Sequence, residues 1–146
     1  MNKRPYLTII RGLPGSGKST RARAYAADSG ALLIEPDMFI TRHGEYCYTA
    51  GDFQTAVNLA RETVILAAQV SADVIYADVL PTKQDVNDII ICYQCFCVWP
   101  PIVNVIDMSC DVLDSMKRNR HGVKREDIEA MAAAWEPWGT LEDMKQ

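Results

Sequence analysis

Short apolar runs alternate with amphipathic stretches along this chain, and most runs end at Gly, Pro or Asp. Tyr6-Leu7-Thr8-Ile9-Ile10 has the β-branched, apolar character of a strand, and residues 21–27 that of a helix. Ala31-Leu32-Leu33-Ile34 is expected to be a short buried strand ending at Glu35-Pro36-Asp37. A loop with Gly44, Tyr46, Tyr48 and Gly51 follows. Asp52 is then expected to cap a helix reaching about Val70, because Phe53, Ala56, Val57, Ala60, Val64 and Ala67 recur at helical spacing. Residues 72–77 form the next expected strand, ending at Asp78, and Pro81 or Thr82 opens a helix to about Cys95. Pro100-Pro101 breaks the chain before a strand over residues 102–106. Ser109 is expected to cap a helix with Asp111 and Asp114 early, Lys117-Arg118 late and Gly122 closing it. A last helix is expected from Lys124 to about Trp135. Strands and helices in alternation, with strands apolar on both faces, predict an α/β protein: a three-layer fold whose parallel sheet of about four to five strands is flanked by helices.

One segment turns this architecture into chemistry. Gly12-Leu13-Pro14-Gly15-Ser16-Gly17-Lys18-Ser19-Thr20 satisfies G-x-x-x-x-G-K-[ST] between a strand and a helix, the context that a phosphate-binding loop requires. Glycines let successive N–H groups turn toward phosphate oxygens, and the helix N-terminus adds its positive end. Gly12, Pro14, Gly15, Ser16, Gly17, Lys18, Ser19 and Thr20 are therefore the expected ATP-binding residues. Lys18 is assigned to the β- and γ-phosphates and the Ser19 hydroxyl to Mg²⁺. The sheet is thus expected to be of the P-loop NTPase type. Ligands of such sheets bind beyond the carboxyl ends of the strands, so Asp37, Asp78 and Asp107 are expected on the same rim as the loop.

Each acid has a functional and a structural reading. Asp37 is a candidate general base for an acceptor hydroxyl, or a turn cap. Asp78, ending an apolar strand, is a candidate metal ligand that could equally serve a lid arginine or the acceptor. Asp107 is as readily a turn residue. Lys117 to Arg125 joins two helices and carries most of the late positive charge, which suits a lid over the triphosphate at about residues 117–126. Arg118 and Arg120 are its candidate catalytic arginines, and His121 reads as a loop residue. Tyr46 and Tyr48 suit either stacking on an acceptor or packing under a loop. Trp135 and Trp138 are expected to anchor the tail.

Bulk properties narrow the class. The 146 residues, 49% hydrophobic and 23% charged, fit one globular domain over 1–146. No apolar run is long enough to span a bilayer and no signal-peptide pattern is visible, so a cytoplasmic protein without membrane partners is expected. Five cysteines, three of them at 92, 95 and 97, are expected to be reduced, buried and structural. Net charge is −4, yet the cations cluster at residues 3–23 and 117–125. Brought together they would line one positive cleft; apart they are solvated faces.

The phosphate loop, Ile34-Glu35-Pro36-Asp37-Met38-Phe39 and Arg118-Asn119-Arg120-His121-Gly122-Val123-Lys124-Arg125-Glu126-Asp127-Ile128 together resemble the kinase domain of 5′-hydroxyl polynucleotide kinases. The likeness is to the phage enzymes and to the small AAA-type kinase-like proteins related to the NEDD4-binding protein kinase module. Gly44-Glu45-Tyr46-Cys47-Tyr48 resembles a glycine-tyrosine-aromatic segment of the same group. The resemblance implies that Lys18 and Ser19 hold the donor phosphates and Mg²⁺. It also implies that Asp37 is the base for the 5′-hydroxyl, that Asp78 ends the third strand, and that Arg118 and Arg120 belong to the lid. Two positions depart from the group: Asp78 is followed by Val79-Leu80 instead of a Thr-Asn continuation, and Ile40 replaces a frequent arginine, with Arg42 two places on. Three functions remain open on these residues: an ATP-dependent kinase of polynucleotide 5′-hydroxyl ends, a kinase of a nucleoside, sugar or nucleotide-sugar, and an NTP-binding regulatory protein without transferase activity.

Overall fold

The computed structural model describes residues 3–42, 45–46, 50–108, 110–119 and 122–139. Strand β1 (Tyr6–Gly12) runs into the phosphate loop and helix α1 (Lys18–Ser29). Strand β2 (Leu32–Ile34) leads to a 3₁₀ turn (Pro36–Phe39) and a two-stranded antiparallel ribbon of β3 (Thr41–Arg42) and β4 (Glu45–Tyr46). Helix α2 (Ala50–Gln69), strand β5 (Val74–Asp78) and helix α3 (Lys83–Gln94) follow. Strand β6 (Ile102–Met108) and helices α4 (Val112–Arg118) and α5 (Arg125–Ala134) complete the order. The main sheet has four parallel strands in the order β2-β5-β1-β6, with β1 between β5 and β6. This is the α/β sheet flanked by helices that the apolar pattern predicts.

Alternation along the strands decides which side chains meet. Leu7, Ile9, Val74, Tyr76 and Ile34 face the core shared with Ala60 and Val64 of α2 and with Val86 and Ile89 of α3. Ile10, Ile75 and Ala77 face Ala22 of α1. In the next register row Arg11 lies opposite Asp78 on one side and Asp107 on the other. The hydrophobic strands therefore end in a charged row at their carboxyl edge.

Arg11 is wholly buried in that row and acts as a structural hub. Its Nε donates to the Leu80 carbonyl at 2.9 Å, one terminal nitrogen to the Pro81 carbonyl at 2.9 Å, and the other to Glu136 O at 2.8 Å and Asp107 Oδ1 at 3.2 Å. The guanidinium also stacks 4.1 Å from the Trp135 ring centre. Asp107 in turn accepts from the Trp138 amide at 3.1 Å. Asp107 is thus engaged in holding the segment after α5. Both tryptophans anchor that segment, Trp138 packing against the main core. Arg11→Met is expected to cost at least about 3 kcal/mol of stability, since several buried acceptors lose their donor at once. Denaturant unfolding measures it, and a loss under about 1 kcal/mol would deny Arg11 the hub role.

Several expected boundaries move. Helix α1 begins at Lys18, three residues before the expected start, because Gly17 at φ 89° provides the N-cap and the loop's last residues already wind. Helix α2 begins at Ala50, so Asp52 lies inside the helix and is not its cap. Helix α3 agrees, with Thr82 accepting from the Asp85 amide at 3.1 Å. Helix α4 is capped by Asp111, which accepts from the Asp114 amide at 2.7 Å; Ser109 lies outside the described residues. It ends at Arg118 rather than Gly122, because the Asn119 side chain closes the turn on Val123 O at 2.6 Å. The thiols expected to be buried are not fully so among the described residues, and Cys47 lies outside them. Cys92 and Cys97 are half-buried and Cys95 exposed where the end of α3 meets solvent. Cys92, Cys95, Cys97 and Cys110 are free, and no metal-holding group occurs among the described residues. Among those residues no helix is long and apolar enough to cross a membrane.

Candidate active site

The phosphate loop follows β1 directly, and two of its glycines are there for conformation and clearance. Gly15 has φ 76°, and a Cβ on it would come within 2.7 Å of the Arg118 Cβ and 2.9 Å of the Arg118 carbonyl carbon. The C-terminal end of α4 thus rests on the loop itself. The Ser115 hydroxyl, fully buried, donates to the Pro14 carbonyl at 2.6 Å and holds that contact. A Cβ at Gly12 would collide with the Ser16 hydroxyl.

A cleft of about 1590 Å³ opens between the loop, the 3₁₀ turn, α2, the end of β5, and the α4–α5 pair. Lys18, Ser19, Asp37, Asp78 and Arg118 all line it. Lys18 is the first residue of α1, half-buried, with Nζ 3.5 Å from the Leu13 carbonyl. Burial lowers its pKa from the ordinary lysine range, while the charges of Asp78, Asp37 and Glu35 work against the drop. The cation is therefore drawn out of water toward three carboxylates.

Asp78 carries the complementary strain. Burial pushes its carboxyl up to about 6, offset in part by the Val79 amide, which donates at 2.8 Å, and by Lys18. In the unfolded chain this group ionises near 3.8. Between about pH 4 and 6 the folded chain holds a proton that the unfolded chain has lost, so stability falls as pH rises through that window and stays lower above it. Asp78→Asn escapes the penalty. The variant is expected to melt higher than the parent at pH 8, with the gap narrowing toward pH 4.5; a gap independent of pH would contradict the burial of an ionised Asp78. A hydroxyl (Ser19) and a half-buried carboxylate (Asp78) are hard oxygen donors, and they fit Mg²⁺.

The two basic clusters meet only in part. Lys18 and Arg23 from the first, and Lys117, Arg118 and Lys124 from the second, line the cleft. Arg4 instead donates to the Pro100 and Pro101 carbonyls, Arg11 is the buried hub, and Arg21 stacks on Tyr25. Arg120, His121 and Tyr48 lie outside the described residues, as do the side chains of Arg42 and Tyr46. Glu35, Tyr76, Arg61 and Asp85 also line the cleft, though sequence reasoning gave none of them a role. Arg61 alone left a signal, as a lone cation beside the apolar stripe of α2. Tyr76 sits in an apolar run that marks it only as strand, and Glu35 in a motif read for its Asp37.

A phosphate loop on a parallel sheet, with a second pair of helices over it, defines a P-loop kinase-like protein. The family model described as an AAA domain matches residues 7–84, just over half the chain, and the chain belongs to that family. Its fold is similar to a chain of the Pnkp1/Rnl/Hen1 RNA repair complex (TM-score 0.71, 19% identity), covering 92% of this chain and 45% of that one. It is also similar to a sugar kinase from Janibacter sp. (TM-score 0.65, 17% identity, covering 94% and 81%). A gluconokinase from Sinorhizobium meliloti 1021 is a third likeness (TM-score 0.60, 16% identity, covering 92% and 78%). The chain spans under half the length of the RNA-repair chain. No curated protein matches it. A kinase-like fold with a phosphate loop implies ATP binding.

Proposed function

We propose that this chain is a kinase that transfers the γ-phosphoryl group of ATP to an acceptor hydroxyl at Asp37, and that the acceptor is the 5′-hydroxyl end of a polynucleotide. The observation that carries this reading is that Lys18, Asp37 and Asp78 share one cleft, with the end of α4 against the phosphate loop. Loop amides and Lys18 hold the β- and γ-phosphates. Ser19 and Asp78 would hold Mg²⁺, which neutralises charge on the phosphate oxygens. The acceptor oxygen bonds to phosphorus as the bond to the ADP oxygen breaks, and Asp37 takes the hydroxyl proton. Arg118 meets the charge spreading over the transferred group.

The cleft volume of about 1590 Å³ supports a nucleotide-sized acceptor beside ATP, since single small ligands occupy roughly 300–1000 Å³. One observation favours the second reading, a small-molecule kinase. The acceptor end is dominated by Glu35, Asp37, Asp78 and Asp85, with Arg61 as its cation among the described residues lining it. Label transfer from γ-labelled ATP to 5′-hydroxyl oligonucleotides and small alcohols decides between them. Oligonucleotide labelling that rises with length and falls with salt supports the polynucleotide end. Salt-insensitive labelling of small alcohols alone supports the second reading. ATP binding without transfer to any acceptor would leave a regulatory NTP-binding protein.

Arg118→Ala is expected to lower turnover by about tenfold or more, the scale of a guanidinium that stabilises developing charge. Single-turnover rates at saturating ATP measure it. Unaltered turnover would reduce Arg118 to a structural contact of the loop.

A further inference from the structure

We propose that Glu35 is a positioning residue for Lys18: its side-chain oxygen takes one hydrogen of the Lys18 amine and ties that cation to the turn that carries Asp37. This rests on the kinase reading above and deepens it by naming what aligns the donor half of the cleft with the acceptor half.

Glu35 Oε1 is buried and has no hydrogen-bond partner among the described residues, although the residue lines the cleft and is only 6% exposed. Buried polar atoms are nearly always satisfied, so an unmet carboxylate oxygen marks a place where a donor arrives. The backbone of Glu35 is already engaged. Its carbonyl accepts from the Met38 amide at 3.0 Å, and its own amide donates to Met38 Sδ at 3.3 Å. The 3₁₀ turn holding Asp37 is thereby fixed to Glu35, and the side-chain oxygen is left for another group.

Alternation along β2 selects that group. Ile34 pairs with Tyr76 and faces the core formed with α2 and α3. Leu33 packs on the opposite side, against the cluster that contains Ala22 of α1. Glu35 follows in extended conformation, φ −133° and ψ 133°, so its side chain turns to the Leu33 side. Lys18 is the first residue of α1 and lines the same cleft. The Glu35 charge acts on Lys18 together with those of Asp78 and Asp37. Lys18 has three N–H donors, and its contact with the Leu13 carbonyl, at 3.5 Å, is long for a hydrogen bond. A flexible four-carbon stem lets the amine swing from that carbonyl to Glu35.

The contact has a mechanical consequence. A carboxylate on one N–H fixes the direction of the amine and leaves two hydrogens for the β- and γ-phosphate oxygens. Because Glu35 also opens the turn of Asp37, the γ-phosphate and the acceptor's base are referred to one point. Small errors in such alignment cost rate steeply.

A double-mutant cycle on Glu35→Gln and Lys18→Met tests this. Gln keeps the shape of Glu35 and the backbone bonds of the turn but removes the charge. Rates are measured with γ-labelled ATP and the acceptor that the labelling assay above identifies. Glu35→Gln alone is expected to lower kcat by about tenfold or more with the ATP KM changed by less than about threefold, since the loop amides still hold the phosphates. In the Lys18→Met background the same substitution is expected to change the rate by less than about twofold, because groups that act as a unit are not additive. Melting of the ligand-free proteins needs no turnover and reads the contact directly. Glu35→Gln is expected to shift the melting temperature downward by at least about 2 °C more with Lys18 present than in the Lys18→Met background. Equal rate losses in both backgrounds would overturn the proposal and leave the kinase standing, as expected of a residue that only shapes the turn. Coupling in melting with kcat unchanged would overturn the positioning role. An absence of coupling in both melting and rate overturns the contact itself. Coupling in melting with no transfer to any acceptor supports the contact and removes the kinase reading instead.

Discussion

Lys18→Ala is expected to reduce phosphoryl transfer by at least about a hundredfold while the protein remains folded. The Lys18 amine is held in the cleft, drawn from water toward Asp78, Asp37 and Glu35, and takes no part in the hydrophobic core. Phosphate oxygens in direct contact would offset the cost of its burial. Transfer assays with circular dichroism and thermal melting check both halves of this expectation. Retention of more than about a tenth of the parent rate would remove Lys18 from the transition state.

Asp37→Asn is expected to cut turnover by about a hundredfold or more, with ATP affinity changed by less than about threefold. The carboxamide keeps the shape of the 3₁₀ turn that follows β2 but cannot take a proton from the acceptor. Calorimetric titration of ATP beside rates of the bound complex separates the two effects. If ATP affinity collapses while the bound complex still turns over, Asp37 serves the metal site and the proton goes elsewhere. Together with Asp78→Asn, the substitution distinguishes two carboxylates that share one cleft but differ in burial and chemistry.

Much of the candidate site was legible before any coordinates. The glycine spacing of the phosphate loop is a backbone requirement, so it is written in residue types and survives without knowledge of packing. Asp37 and Asp78 were found from topology alone, since strand-end acids of a parallel sheet share a rim. Helix ends were less legible. Asp52 and Ser109 both look like caps, but capping depends on which residue the backbone leaves extended, and Asp111 holds that place for α4. The basic clusters misled in a different way. Arg11 belongs to the first cluster by sequence, yet it faces inward in register with Asp107 and never reaches the cleft.

The chain alone determined the phosphate loop, the order of strands and helices, and the rim that the loop shares with Asp37 and Asp78. These follow from local backbone demands and from the period of apolar side chains, both of which are properties of short segments. Only the tertiary structure decided which charges meet. It buried Arg11 under Trp135, set the end of α4 against Gly15, and brought Lys18, Asp37 and Asp78 to one cleft. Such encounters depend on strand register and helix docking, and the free energy of a charge depends on who surrounds it, which no single segment records.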